Sequence, residues 1–99
     1  GKFFPDSDEK WKDAISCELL KITLDFAYKK GFFVSWIDSI IIAEQPQLSP
    51  YIDQMRYALS KTGIQKEFIS IKAKTNEKMG FIGRGEGIVC QAVCILSSL

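Results

Sequence analysis

The sequence contains no histidine among its 99 residues. Histidine is the side chain that titrates near neutral pH and a common zinc ligand, so these residues alone cannot form a histidine-based acid–base group, triad or zinc site. The sequence also lacks an apolar run of about 18 residues, roughly the length that a membrane-spanning helix needs. No apolar segment with a cleavage site follows the first residues, so we expect neither a secretory signal nor a membrane partner.

Cysteine is scarce, and the count is odd: Cys17, Cys90 and Cys94. An odd number without a secretory signal favours a reducing compartment and free thiols. Cys90 and Cys94 fall on one face of a predicted strand, about 13 Å apart at ~3.3 Å per residue, which is too far to share a disulfide or a metal ion. We expect all three cysteines to be small core residues.

The composition is that of one folded domain, which we predict to span residues 1–99. Apolar residues make up 46% of the chain and charged residues 25%, with a formal net charge of +1. Lysine and arginine are scattered, so no basic stripe that could follow a phosphate backbone is visible. We expect no nucleic-acid partner.

Hydrophobic periodicity and end signals predict five elements in the order α-β-α-β-β. In chain order they are a helix along the stripe Trp11, Ile15, Leu19, Ile22 and Phe26 and ended by Gly31, a strand over 32–43, a helix begun by Ser49–Pro50 and ended near Gly63, a half-buried strand over 69–74, and a strand over 88–96. The segment over 75–87 is predicted to be a glycine-rich loop.

The order predicts an α/β chain in the two-layer α+β sense, with helices on one face of a mixed sheet. The strands over 32–43 and 88–96 are apolar on both faces. Two helices can cover one face, so the other face must meet copies of the same subunit or a further part of the chain.

Three segments could carry chemistry. The segment over 72–87 leaves a strand with backbone amides, the Thr75 hydroxyl and the cations Lys74, Lys78 and Arg84, which together could cradle phosphate. Its glycines do not match a dinucleotide fingerprint, and composition alone favours a tight connection between strands. Asp6 and Asp8 could bind hydroxyls or a metal, or Asp6 could form a helix-entry box with Glu9. The segment over 46–49 could pack against a ligand ring or be a plain turn.

Four strings, in order along the whole chain, resemble the methylerythritol cyclodiphosphate synthases. Residues 72–88 are similar to that family's C-terminal signature. Residues 1–8 resemble its GKxFPDTD stretch, residues 43–48 its AQxPK(M/L) turn, and residues 54–56 its QMR string. The resemblance departs from the pattern at Gln47, where lysine is common, and at Lys74, where threonine is common.

The resemblance implies a role for each matching position. The methylerythritol and ribose contacts would come from Gly1, Phe4, Pro5, Asp6, Ser7 and Asp8. The cytosine pocket would be formed by Ala43, Glu44, Gln45, Pro46, Gln47, Leu48 and Ser49. The diphosphate would be held by Lys74, Thr75, Asn76 and Glu77, with Thr75 catalytic and Glu77 holding Mg or Mn. Phe81 and Arg84 would lie on the substrate side or at a central cavity.

The implied reaction is intramolecular phosphoryl transfer in non-mevalonate isoprenoid synthesis, carried out by a homotrimer on a cytidine diphosphate derivative. The implied compartment is the bacterial cytoplasm or the stroma of a plastid or apicoplast. The family's zinc ligands, an Asp-x-His pair and a later histidine, precede the part that this chain resembles. The resemblance therefore implies a zinc lyase whose zinc ligands are not in this chain, and 99 residues that are inactive alone. Two alternatives stay open: a non-catalytic module that binds cytidine nucleotide and phosphate, and a purely structural oligomerisation domain.

Overall fold

The computed structural model describes residues 2–11 and 14–99, which form a three-stranded sheet with helices beside it. The longer elements are the helices α1 (Ser16–Lys29), α2 (Ile52–Ser60) and α3 (Gly80–Gly83) and the strands β1 (Phe32–Ile42), β2 (Ile69–Lys74) and β3 (Val89–Ser98). Single 3-10 turns occupy Glu9–Trp11, Ser49–Tyr51 and Lys66–Phe68. The predicted order is confirmed, and α3 is a short addition inside the predicted loop.

The strand order in the sheet is β2-β1-β3. Strand β1 pairs in parallel with β2 from Ile37↔Ile69 to Ile42↔Lys74, and antiparallel with β3 along its whole length. A parallel pair needs a crossover connection, and α2 supplies it. The predicted mixed sheet is therefore confirmed, and the carboxyl ends of β1 and β2 lie at one edge of it.

The helix ends match their sequence signals better than the helix starts do. Gly31 at φ +92° follows α1 and Gly63 at φ +120° follows α2, as left-handed positions after a helix should. The predicted start of α1 is wrong, because Trp11 ends a separate 3-10 turn and the helix begins at Ser16. The predicted capping by Ser49 is also wrong, since that residue is already inside a 3-10 turn and makes no capping bond.

The shielded face of α1 shares one residue, Leu19, with the predicted stripe. Half-buried positions are Leu19, Leu20, Leu24 and Ala27, whereas Ile15, Ile22 and Phe26 of the predicted stripe are exposed. The helix carries apolar residues on more than one face, and a period of 3.6 residues is satisfied by either stripe. Periodicity therefore could not select the stripe that packs on β1.

The buried apolar core is small. Its members within the described residues are Ala43, Ile64, Ile69 and Ile82. Ile69 begins β2, where the predicted alternation of shielded and exposed positions is seen from Ile71 to Lys74 and is broken at Ser70, which is half-buried. So few buried side chains mean that much apolar surface stays uncovered on this chain.

The prediction that the cysteines are core residues is wrong for the described chain, because all three are exposed. Cys90 and Cys94 lie on β3, which pairs with β1 along one edge only. Val93 on the same strand is 71% exposed. An edge strand without a covering layer leaves both of its faces open, whatever their composition.

Arg56 ties α2 to the start of β2. Its guanidinium donates to the carbonyl oxygens of Ile69 at 2.8 Å and Lys66 at 2.9 Å, and it pairs with Asp53 at 3.3 Å. A hydrogen bond from Lys66 also reaches Asp53, and this bond lowers the pKa of the Asp53 carboxyl. The planar guanidinium can satisfy all three acceptors at once, which a lysine cannot do.

We expect Arg56→Lys to lower the free energy of unfolding by about 1–3 kcal/mol, because charge-assisted hydrogen bonds to two carbonyl groups are lost. Urea denaturation followed by circular dichroism measures this change. Arg84→Lys is the matched control, since Arg84 pairs with the exposed Glu86 and such pairs contribute little. Equal losses in the two variants would contradict the structural role of Arg56.

Candidate functional site

A cavity of about 310 Å³ opens at the edge where β1 and β2 end. Parallel strands bring the segments that follow them together, and ligands commonly bind at such an edge. The lining comes from the turn after β1 and from the end of β2: Ala43, Glu44, Gln47, Leu48, Ser49, Ala73, Lys74 and Thr75. The fold thus joins the predicted base turn and the predicted phosphate loop in one cavity.

The turn after β1 supplies one wall. The amide of Ala43 donates to the carbonyl of Lys74 at 3.0 Å, so the β1–β2 ladder continues one residue beyond the strand. The chain then turns through Gln45 and Pro46 into the 3-10 turn at Ser49. Gln45 and Pro46 are exposed and belong to this turn, but they are not part of the cavity lining.

The Glu44 side chain crosses from the base turn to the phosphate loop. Its Oε2 accepts a hydrogen bond from the amide of Asn76 and its Oε1 one from the amide of Lys78, both at 3.1 Å. The sequence analysis gave backbone amides of this loop as groups that could cradle a phosphate. Two of them, those of Asn76 and Lys78, bond to a carboxylate of the chain itself.

The loop after β2 has an unusual backbone. Glu77 at φ +56° and Lys78 at φ +62° both adopt the left-handed conformation, which costs a residue with a Cβ about 1–2 kcal/mol. The Asn76 side chain donates to the carbonyl of Met79 at 2.9 Å and closes the loop. Gly83 in α3 lies directly against the Lys78 backbone, so that a Cβ there would fall 2.0 Å from the Lys78 carbonyl carbon.

Thr75 and Lys74 are the groups in the cavity that remain open to a ligand. The Thr75 hydroxyl accepts a long hydrogen bond from the amide of Glu77 at 3.4 Å, so its own proton is free to be donated. Within the described ranges the ammonium of Lys74 has no ion-pair partner. Both can therefore reach an anion.

The other predicted site residues lie away from this cavity. The segment Phe4–Asp8 forms a turn in which the amide of Asp8 donates to the carbonyl of Pro5 at 3.0 Å. The carboxylate of Asp8, rather than that of Asp6, closes the following turn by accepting from the Lys10 amide at 3.0 Å. Asp6 and Ser7 are exposed, and the predicted Gly1 contact lies outside the described residues.

Phe81 and Arg84 also point elsewhere. Phe81 is 50% exposed, and its ring lies over Gly87. Arg84 makes a two-pronged pair with Glu86 at 2.9 and 3.1 Å. Neither residue lines the cavity on the same chain.

The side chains that could bind a metal ion are scattered over the described residues. No group of three or more histidine, cysteine, aspartate or glutamate side chains lies together in residues 2–11 and 14–99. A zinc site, which takes three or four such ligands, therefore does not fit these residues. Glu77 could instead serve a magnesium ion, which commonly takes one or two carboxylates plus phosphate oxygens from the protein and its ligand. The Glu77 carboxylate is exposed and has no partner among the described residues.

A family model described as the YgbB family matches residues 1–97. The chain belongs to the YgbB family. It is 52% identical over 97 residues to the 2-C-methyl-D-erythritol 2,4-cyclodiphosphate synthase of Prochlorococcus marinus (strain MIT 9215), a match that covers 97% of this chain and 58% of that protein. This membership confirms the resemblance that the four strings indicated.

Two solved structures show the same fold. The bifunctional IspDF from Campylobacter jejuni superposes with a TM-score of 0.93 at 36% identity, covering 100% of this chain and 27% of that one. A CDP complex of IspF from Plasmodium falciparum superposes with a TM-score of 0.84 at 29% identity, covering 99% of this chain and 58% of that one.

No helix in the described part of the chain is long and apolar enough to cross a membrane.

The chain is shorter than its relatives. It spans 58% of the Prochlorococcus protein and 63% of the synthase from Marinobacter nauticus (strain ATCC 700491 / DSM 11845 / VT8). The match to the family therefore includes every helix and strand described above. The activity of the longer relatives is a proposal for this chain.

Sequence reasoning missed two positions that shape the site. The sequence predicts Gly83 only as one glycine of a loop, although its contact with Lys78 leaves no room for a side chain. It predicts Glu44 only as part of the base turn. An acidic residue directly after a central strand, beside a neighbouring strand-end loop, is the signal that could have indicated its role.

We expect Gly83→Ala to displace the loop over 75–79, because the new Cβ would overlap backbone atoms of Lys78 that cannot rotate away. The melting temperature should fall by roughly 4–8 °C or more, the shift that about 1 kcal/mol produces in a domain of this size. Differential scanning calorimetry measures it. Gly87→Ala is the control, since its Cβ would meet only the Phe81 ring at 3.2 Å. A fall no larger than in that control would show that the loop yields freely.

Proposed function

We propose that this chain is the substrate-binding part of a 2-C-methyl-D-erythritol 2,4-cyclodiphosphate synthase. The reaction converts 4-diphosphocytidyl-2-C-methyl-D-erythritol 2-phosphate to 2-C-methyl-D-erythritol 2,4-cyclodiphosphate and CMP. The observation that carries this proposal is the single cavity in which the base turn and the Thr75 loop meet. Family membership and the CDP complex of the Plasmodium protein support it.

The base turn suits a flat heterocycle held through the backbone. Residues on both sides of Gln45 and Pro46, namely Ala43, Glu44, Gln47, Leu48 and Ser49, form one wall, and Leu48 and Ala73 add apolar surface to the cavity. Recognition of a base mainly by main-chain groups tolerates side-chain changes in the turn. Gln47 in place of the family's common lysine is therefore compatible with cytosine binding.

The diphosphate would be held by side chains rather than by a nest of amides. Two amides of the loop already bond to Glu44, which leaves the Thr75 hydroxyl and the Lys74 ammonium facing the cavity. Glu77 would hold Mg or Mn, which when bound supplies charge neutralisation at the phosphate oxygens. A lysine at position 74 adds a fixed cation where the family commonly has threonine.

The reaction is a displacement at the β-phosphorus within one molecule. An oxygen of the 2-phosphate forms the new P–O bond, and the bond from the β-phosphorus to the bridging oxygen breaks, so that CMP leaves with the bonding electron pair. Because nucleophile and electrophile share one molecule, the work of the site is orientation and stabilisation of charge. Thr75 would donate its hydroxyl proton as a hydrogen bond to a phosphate oxygen on which charge develops.

The zinc ligands of the proposed enzyme would come from outside this chain. The 99 residues contain no histidine, and the described residues contain no cluster of zinc ligands. We derive no step through zinc. The alternative function, a non-catalytic module that binds cytidine nucleotide and phosphate, is favoured by this same observation, and it is what the 99 residues would be when isolated.

A homotrimer is part of the proposal, with the uncovered face of the sheet turned towards the threefold axis. Val93 and Ile95, which lie on the same face of β3, are both more than half exposed. The charges beside them are paired: Lys72 bonds to Asp38 at 2.7 Å, and this bond lowers the pKa of the Asp38 carboxyl. An apolar face with paired charges suits contact with further copies, which would also bring the Phe4–Asp8 turn to a neighbouring cavity.

Nucleotide binding tests the proposed function. Isothermal titration calorimetry with CMP and CDP should show binding of both, with CDP bound more tightly because it engages Lys74 and Thr75. Thr75→Val should weaken CDP about tenfold, the value of one charge-assisted hydrogen bond, and leave CMP within about twofold. Thr23→Val in α1 is the matched control, because its hydroxyl bonds only to the Leu19 carbonyl.

Turnover separates the two candidate functions. In a protein of the relatives' full length, release of CMP from the cytidine substrate should depend on Thr75, with kcat lowered about 100-fold in Thr75→Val. CMP and CDP binding without turnover would favour the non-catalytic module. Failure of the unaltered chain to bind either nucleotide would reject both.

The assembly can be tested at β3. We expect Val93→Asp to convert a trimer into monomers, since a charge would be buried where apolar side chains meet. Sedimentation velocity measures the molar mass. Gln54→Asp on the exposed side of α2 is the control and should leave the trimer intact. A monomeric unaltered protein at micromolar concentration would contradict the assembly.

A further inference from the structure

The Glu44 carboxylate holds the loop on the far side of the cavity by its two oxygens. Each oxygen accepts one main-chain amide, from Asn76 and from Lys78, at 3.1 Å. These bonds join segments that are 32 and 34 residues apart in sequence. Glu44 is therefore a tertiary link between the two halves of the site rather than a local turn residue.

The link fixes the residues on both sides of Thr75. On one side the carbonyl of Lys74 accepts the Ala43 amide at 3.0 Å, and on the other the amide of Asn76 donates to Glu44. Two consecutive residues of the base turn thus hold the two neighbours of the hydroxyl that faces the cavity. The position of that hydroxyl relative to the base turn follows from these bonds.

The loop needs such a link because its backbone is strained. Glu77 and Lys78 both have positive φ values, which an unsupported loop would relax. Glu44 bonds to the amides that flank Glu77, and Gly83 allows α3 to pack against Lys78 from the other side. Removal of the carboxylate would leave two amides without their acceptor and would take away the support that Glu44 gives to the loop.

We propose that Glu44 is a positioning residue: its carboxylate clamps the Asn76 and Lys78 amides and so sets the distance between the base turn and the Thr75 hydroxyl. The proposal rests on the proposed function, in that the Thr75 hydroxyl is taken to meet the phosphate beyond the nucleoside monophosphate. Glu44 touches no phosphate itself. Its effect falls on ligands that span both halves of the cavity.

A rival role predicts the opposite sign. A carboxylate that merely fills an anion-binding nest competes with phosphate, so its removal should open two amides and strengthen CDP binding. A positioning carboxylate predicts that its removal weakens CDP binding, and weakens it more than CMP binding. The two roles are therefore separated by the direction of one measured ratio.

The test compares Glu44→Gln and Glu44→Ala by calorimetry with CMP and CDP. The ratio of CMP to CDP dissociation constants should fall about tenfold in Glu44→Ala, as for the loss of a hydrogen-bonded contact, and by less in Glu44→Gln, which keeps one acceptor. The dissociation constant for CMP should rise less than that for CDP, because CMP does not reach the Thr75 half of the cavity, although Glu44 is itself part of the base-turn wall. Glu67→Gln is the matched control, since Glu67 is exposed and does not line the cavity.

A second readout does not depend on the ligand. Amide hydrogen exchange should speed up at both Asn76 and Lys78 in Glu44→Ala, which removes both acceptors, and at one or both of them in Glu44→Gln, which keeps one acceptor, but not in Glu67→Gln. If the unaltered chain binds neither nucleotide, the proposed function fails and exchange at these two amides alone decides whether Glu44 clamps the loop. If Glu44→Ala does not fold, Glu44→Gln carries both measurements. Unchanged exchange, an unchanged ratio or tighter CDP binding would overturn the proposal.

Discussion

The parallel pairing of β1 with β2 is the constraint on which the rest of the site depends. Because both strands run the same way, their carboxyl ends meet at one edge, and the segments after them become neighbours. The Ala43–Lys74 bond extends this pairing beyond the strands. Every contact across the cavity follows from that register, since a shift of one residue would turn Lys74 and the groups beside it to the other face of the sheet.

A strained loop and its support form the next layer. Two non-glycine residues with positive φ persist after β2 because Glu44, Asn76 and the close packing of Gly83 together determine their conformation. Such strain commonly marks functional loops, since it holds groups in positions that a relaxed chain would abandon. Here the loop presents a threonine hydroxyl beside a lysine, which suits a phosphate ester better than any neutral group.

The small core relates the site to assembly. In the part of the chain that the structure describes, four apolar side chains are buried, while apolar residues on α1 and along β3 are exposed. A domain of about 100 residues buries a limited fraction of its surface alone, so further contacts would add much to its stability. The same contacts would complete the site in the proposed trimer, because the Phe4–Asp8 turn lies away from the cavity of its own chain.

Several features were determined by the sequence itself. Alternation along β2, the apolar run of β1 and the glycines after α1 and α2 predicted the elements and their order, because these are local properties of the backbone and side chains. The four matching strings indicated the family, and through it they predicted that residues 43–49 and 74–77 serve one site. The absence of histidine excluded a histidine-based zinc site built from these residues.

Only the tertiary structure decided the remaining features, because they depend on contacts between segments distant in sequence. Three of them depend on the segment that faces the residue in space. They are the stripe of α1 that packs on the sheet, the exposure of the cysteines and the role of the Glu44 carboxylate. Glu44 and the amides it accepts are more than 30 residues apart, and no local pattern specifies that meeting. Patterns of hydrophobicity set which elements form, whereas the sheet register set which side chains could act together.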